Sequence, residues 1–255
     1  MQIPENTLKT ALVAGQVQYG LWLASQSPVM AEVAGVSGFD WCLLDAEHGP
    51  NTLTELLPQL QVLEATGTQA VIRIPAAEVW IVKQALDMGC QTVLVPMVDD
   101  AETAARMARA MRYPPDGIRG MGAVLARASR YGAVADYIHK ANDQVCLLVQ
   151  AESAAAVKNI DEIAATPGVD GVFIGPADLS ADMGYPGQLN HPEVESAIDH
   201  MFARIKAAGK IAGIIDTDQS RFAEYIDKGV TFLGIGADTS ILRGCLEKLL
   251  RDTKG

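Results

Sequence analysis

The polar side chains of this chain that could do chemistry are few, and most of them close a short apolar run. Asp45, Glu47 and His48 follow WCLL, Arg73 interrupts VIRIP, Gln150 and Glu152 end LLVQAES, and Asp178 sits in VFIGPADLS; Asp216 and Asp238 end two later runs. Two carboxylates on consecutive runs, Glu152 and Asp178, suit one hard cation, because Mg²⁺ and Mn²⁺ take oxygen ligands and leave room for water. The same acids also fit the first turn of a helix, where each would stabilise the macrodipole by about 0.3 to 1 kcal/mol.

His48 in DAEHGP lies near these acids, where an imidazole could take a proton from a hydroxyl; a loop histidine making one hydrogen bond is the plainer alternative. Asp87 stands two residues before Gly89, in the last turn of a helical pattern, where the negative end of the dipole disfavours a carboxylate. A partner would explain it, and His48 is one candidate; simple solvation is the other. Arg73 lies within a buried run, so its guanidinium needs an anion, either Asp45 or Glu47 within the chain or a ligand.

These residues need a scaffold that gathers the ends of the runs at one place. Runs rich in Val, Ile and Leu recur at 18–23, 41–44, 70–74, 92–95, 145–149, 171–174, 211–215 and 231–235. They are continuous rather than alternating, as parallel strands buried on both faces are. Helical patterns lie between them at 51–65, 79–88, 100–111, 153–165, 192–208 and 219–228, and Gly38, Gly89, Gly168 and Gly229 stand where a left-handed residue would end a helix. This order predicts a (β/α)8 TIM barrel, α/β in class, formed as one domain over 1–255; a G-x-G-x-x-G after the first run, which would favour an open doubly wound sheet, is missing. In such barrels the reaction centre forms at the carboxyl ends of the strands, where the polar residues above fall. The segment 113–140 is too long for a simple connection, and connections of that length are usually functional.

Composition narrows the classes further. With 20 Lys and Arg against 31 Asp and Glu the net charge is −11, which repels polyanions and argues against nucleic acid as a partner. The apolar runs are strand-sized, well short of the roughly 20 residues that span a bilayer, and the first ten residues lack a signal-peptide pattern, so no membrane role and a cytoplasmic location are expected. Cys42, Cys90, Cys146 and Cys245 are far apart, without a C-x-x-C pair, and read as reduced core residues. No lysine falls in an apolar run, which disfavours imine chemistry. The glycines of GIGAD would serve a weak phosphate loop or tight helix packing equally well.

The segments FDWCLLDAEHGPN, VIRIP, KQALDMGCQTVLVPMV, RYPPDGIRG, LVQAES and GVDGVFIGPADLSADMGYPG, in that order, resemble the HpcH/HpaI aldolase family over nearly the whole chain. The resemblance implies a class II aldolase that needs a divalent metal ion, Mg²⁺, Mn²⁺ or Co²⁺, and assembles as a homohexamer. Carried onto matching positions, His48 is the general base, Asp87 raises its basicity, Arg73 stabilises an enolate, and Glu152 and Asp178 hold the metal. Gln150, Asp178 and the backbone of Ala177 would contact a 2-oxo acid, with Trp22 and Asp45 nearby. Ala46 and Gly49 depart from the commoner DGEHAP wording without removing a reactive group.

The implied reaction is reversible cleavage of a 4-hydroxy-2-oxo acid to pyruvate and an aldehyde. A heptane-1,7-dioate yielding succinic semialdehyde is the leading substrate, and a 2-keto-3-deoxy sugar acid is the alternative. The acidic charge weighs against acyl-CoA esters, and a catalytically idle barrel binding carboxylic acids is the reading from another class. Arg119, Arg127 and Arg130 in the long segment either recognise the far carboxylate of such a substrate or make structural contacts.

Overall fold

Each apolar run becomes a strand, and the chain alternates strands with helices as far as its last element. In the computed structural model, which describes residues 1–254, α1 (Thr7–Val13), β1 (Gln18–Leu23), α2 (Pro28–Val36), β2 (Trp41–Asp45), α3 (Leu53–Thr66), β3 (Gln69–Arg73) and α4 (Val79–Asp87) come first. Then follow β4 (Thr92–Val95), α5 (Ala101–Ala110), α6 (Tyr137–Gln144), β5 (Cys146–Ala151), α7 (Ala154–Lys158), α8 (Ile160–Ala165) and β6 (Gly171–Ile174). The chain continues through α9 (Pro176–Asp182), α10 (Pro192–Ala207), β7 (Ile211–Ile215), α11 (Phe222–Asp227), β8 (Val230–Ala237) and α12 (Asp238–Lys254). The strands pair in parallel in sequence order, and β1 also pairs with β8, so the sheet closes into a (β/α)8 barrel.

Differences from the expected elements are local. β2 and β5 run further than their apolar stretches, taking Asp45 and Gln150 into the strands themselves. The helix expected over 153–165 breaks at Asn159, whose side-chain amide donates to the Asp99 carbonyl at 2.8 Å. Gly38, Gly89, Gly168 and Gly229 are left-handed, as their positions predict.

Inside the barrel Trp41, Leu43, Val71, Leu94, Leu148, Phe173 and Phe232 pack together, and Leu8 and Leu12 of α1 plug the N-terminal end. Gly20 makes this filling possible, because a Cβ there would collide with the Trp41 ring. Helices cover the outer face of the sheet, burying a second apolar layer. No strand contains a lysine among the described residues. Cys42, Cys90 and Cys146 are free and buried, whereas Cys245, expected in the core, is free and exposed on α12.

The segment 113–140 wraps the plugged end. It holds short 3-10 turns at Ala123–Leu125 and Arg127–Ser129 before α6. Arg127 and Arg130 both pair with Glu64 near the C-terminal end of α3, and Arg127 also donates to the Met88 carbonyl at 2.8 Å. Arg119, 1% exposed, pairs with Asp87 at 2.6 Å and lies 4.3 Å over the Tyr113 ring. α12 does not pack back as the other helices do. Ile241, Leu242, Leu246, Leu249 and Leu250 are exposed along it, and Val29, Val33 and Val36 form an exposed stripe on α2. Among the described residues no helix is long and apolar enough to cross a membrane.

Candidate active site

The carboxyl ends of β2 and β3 set the geometry of the mouth. Their register pairs Asp45 with Arg73, and both side chains are buried. Arg73 Nε donates to Asp45 Oδ1 at 2.9 Å and Nη2 to Oδ2 at 2.6 Å. Asp45 Oδ1 also accepts the backbone N–H groups of Glu47 at 3.1 Å and His48 at 3.3 Å. One carboxylate thus holds the arginine and shapes the loop that carries the histidine. Below it, Asn51 Nδ2 donates to the Asp45 carbonyl at 2.7 Å, and Gln59 Nε2 donates to Asn51 Oδ1 at 2.8 Å. Gly49 fits this tight turn because a Cβ would meet the Asp45 carbonyl oxygen at 2.5 Å.

Asp45, expected beside the substrate, is therefore committed to four donors of its own chain. Arg73 is the paired residue that its burial required, with Nη1 also 3.0 Å from Glu47 Oε2. Of the five N–H donors of a guanidinium, the bonds to Asp45 occupy two, and the Glu47 contact is an ion pair without a hydrogen bond. The Arg73 guanidinium stands 5.9 Å from the ring of Trp22, which packs edge-on against Trp41 and forms the floor of the mouth.

Across the mouth, Glu152 is 1% exposed and held from two sides. Its Oε1 accepts the Met97 N–H at 2.9 Å, and its Oε2 accepts from Gln150 Nε2. Met97 adopts φ 52°, a left-handed conformation uncommon for methionine, and in it donates this bond. Gly175 leaves the space, since a Cβ there would overlap Glu152 Oε2. Burial pushes the Glu152 carboxyl up to about 7; the two hydrogen bonds oppose this, and the charges of Glu47 and Asp178 add to it. Burial likewise raises Glu47, with Arg73 opposing and Asp45 and Asp178 reinforcing. Ala177 and Asp178 are exposed in the first turn of α9, where backbone N–H groups lack helical acceptors.

Asp45, Glu47, His48, Arg73, Gln150, Glu152 and Asp178 thus share one end of the barrel. Asp87 does not. It ends α4, just before β4 begins, so it lies at the plugged end with Arg119. A pairing of Asp87 with His48 within one chain is therefore ruled out by the fold: the misplaced helix-end charge does have a partner, and that partner is Arg119. Asp216 accepts from the Tyr225 hydroxyl at 2.8 Å. Asp238 accepts the N–H groups of Ala24 at 3.0 Å and Ser25 at 3.2 Å, so a carboxylate of the chain fills the place a phosphate would take after GIGAD.

The sequence placed Glu47 among the polar residues after β2 and offered it as a partner for Arg73, as the structure has it, but assigned it no role of its own in the site. Nothing in the sequence marked the Met97 N–H, because a backbone donor carries no residue type.

The mouth suits a divalent cation. Four carboxylates, Asp45, Glu47, Glu152 and Asp178, face a single guanidinium, and Gln150 Oε1 is a buried acceptor without a donor. Among the described residues no group of three or more His, Cys, Asp or Glu is arranged to enclose a metal. A pair of carboxylates that leaves positions to water and substrate oxygens is how Mg²⁺ is commonly bound.

The chain belongs to the HpcH/HpaI aldolase/citrate lyase family, matched over residues 18–244. It is 49% identical over 255 residues to a hydroxypyruvate/pyruvate aldolase of Agrobacterium fabrum, covering 100% of this chain and 96% of that one. It is also 49% identical over 245 residues to a 4-hydroxy-2-oxo-heptane-1,7-dioate aldolase of Shigella flexneri, covering 96% and 92%. A solved HpcH/HpaI aldolase/citrate lyase family protein from Burkholderia cenocepacia superposes with a TM-score of 0.94 at 38% identity, covering 98% of this chain and 100% of that one.

Proposed function

We propose that the protein, acting as one unit over 1–255, is a divalent-metal-dependent aldolase that reversibly cleaves 4-hydroxy-2-oxo acids to pyruvate and an aldehyde. The observation that carries this reading is the surplus of carboxylates around Arg73, a surplus that a bound dication and an oxo acid would balance. Glu152 and Asp178 would hold the ion, which when bound would supply Lewis-acid stabilisation for charge on the 2-oxo oxygen. Arg73, fixed by Asp45, directs its remaining N–H donors at the same charge without reorganising. Gln150 and the Ala177 N–H orient the acid. His48 takes the C4 hydroxyl proton, directly or through water; the C3–C4 bond breaks, and its electron pair passes into the pyruvate enolate. Mg²⁺, Mn²⁺ and Co²⁺ all fit an oxygen donor set with open positions.

4-Hydroxy-2-oxoheptane-1,7-dioate is the first substrate to test. Hydroxypyruvate with a neutral hydroxyaldehyde is the second, favoured by one observation: Arg119, Arg127 and Arg130 are bound to Asp87 and Glu64 at the plugged end, so no arginine of the long segment reaches the mouth of its own chain. Pyruvate release should stop with EDTA and return with divalent metal, while borohydride plus pyruvate leaves activity intact. A pyruvyl-lysine adduct would overturn the assignment. The reading includes a cytoplasmic location and a homohexamer; the apolar stripes left open on α2 and α12 support self-association, and light scattering would count the copies.

A further inference from the structure

Glu152 takes one of its two hydrogen bonds from a left-handed residue, Met97, and that backbone shape has to be held. Left-handed residues other than glycine persist where their surroundings over-determine them. Three contacts beyond Met97 do this. The Val98 N–H donates to the Gln150 carbonyl at 3.0 Å. The Asp99 carboxylate accepts from the Ser153 hydroxyl, and the Asp99 carbonyl accepts from the Asn159 side-chain amide at 2.8 Å. Ser153 Oγ in turn accepts the Ala156 N–H at 3.0 Å as the N-cap of α7, which leaves its proton for Asp99. Val98 and Ser153 are buried, so little water competes for these bonds. Residues 97–99 thus lie alongside 150–153 just past the paired ends of β4 and β5, with Glu152 gripped between them.

We propose that Asp99 is a positioning residue for Glu152: by accepting the Ser153 hydroxyl it keeps residues 97–99 against the end of β5, so that the Met97 N–H presents the Glu152 carboxylate in one orientation. The proposal rests on Glu152 being a ligand of the divalent cation, and it adds a residue that touches neither the ion nor the substrate. A carboxylate already fixed by its own hydrogen bonds loses little freedom when an ion arrives, and removing the supports of a metal ligand weakens metal binding. Asp99 acts here through an accepted hydrogen bond, so an amide oxygen in its place serves as well, and its charge is not what counts.

Titration of the metal-free protein with Mn²⁺, without substrate, tests this through the electron paramagnetic resonance signal of the free ion. Asp99→Ala and Ser153→Ala should each weaken Mn²⁺ binding by roughly 10-fold, and the pair together no more than either alone. Asp99→Asn and Ser153→Thr, which keep the acceptor and the hydroxyl, should bind like the wild type. In metal-free Asp99→Ala the Met97 amide should exchange its proton with solvent faster than in the wild type. Ser153→Ala, which leaves Asp99 in place, carries the test if Asp99→Ala does not fold. Wild-type affinity in the alanine variants or additive losses in the pair overturn the proposal. So does an Asp99→Asn as weak as Asp99→Ala, because that would assign the effect to charge. A wild type that binds no Mn²⁺ defeats the metal reading itself and the proposal with it, a result distinct from tight wild-type binding with unaffected variants.

Discussion

Arg73 and Arg119 stand at opposite ends of the barrel, each buried against an aspartate with an aromatic ring close by. Arg119 answers one carboxylate, Asp87, and the pair ties the 113–140 segment to α4. Charge is balanced there. Arg73 answers Asp45 and Glu47 directly while Glu152 and Asp178 face the same space, so negative charge remains after every contact within the chain is made. Burying an ion pair brings little net stability, because desolvation offsets the attraction. An uncompensated surplus is costlier still, and this separates a site that needs a ligand from a latch that is complete.

Substitutions at the two ends should therefore fail differently. The largest effect is expected at Glu152→Gln, with loss of turnover on the order of 10³-fold as the ion loses a ligand. The same variant should stabilise the metal-free protein above neutral pH. A carboxyl raised to about 7 contributes stability fully below its ordinary value, and that contribution is lost as pH rises through 7. Thermal melts in EDTA should fall between pH 5 and pH 8 for the wild type and stay flatter for the variant, a difference of about 3 kcal/mol at most. A flat wild-type profile would mean that Glu152 is not strained.

His48→Ala should lower kcat by about 10² to 10⁴-fold while pyruvate binding, followed by titration with Mg²⁺ present, changes little. Arg119→Met should leave kcat per folded molecule unchanged and cost about 3 kcal/mol of stability by denaturant unfolding. That is the low end for breaking a buried pair, since Asp87 keeps about a quarter of its side-chain surface in water. The smallest effect belongs to Arg127→Ala: its partner Glu64 is 44% exposed, so the loss should be about 1 kcal/mol or less. Equal kcat/KM ratios for succinic semialdehyde and an uncharged aldehyde would complete the contrast. Selective loss with the acid would move Arg127 to the mouth of another chain.

The barrel was legible because continuous apolar runs alternating with helical patterns leave few other architectures, and because the left-handed glycines mark the turns. The gathering of polar residues at one end of the barrel was legible wherever a polar type ends or closely follows a strand, as with Arg73, Glu152 and Asp178. Contacts set by direction were not. That Asp45 spends its carboxylate on four donors depends on the course of the DAEHGP turn, which no spacing reveals. Asp87 was rightly marked as needing a partner, but a charge at a helix end does not say which of several arginines will come to it from a segment 32 residues on. The helix α12 was not among the patterns read from the sequence, and its apolar face gains meaning only from its lack of a neighbour in the folded chain.

Leu8 and Leu12, which stop the far end of the barrel, also dictate traffic. The interior between the plug and the mouth is itself packed with side chains, so on the proposed reading both products would leave by the mouth through which the substrate came. With the placement proposed above, an oxo acid against buried Gln150 and Glu152 would be innermost and the aldehyde beneath exposed His48 outermost. Departure is then ordered, aldehyde before pyruvate. On the same placement, the synthetic direction would require pyruvate to enter before the aldehyde.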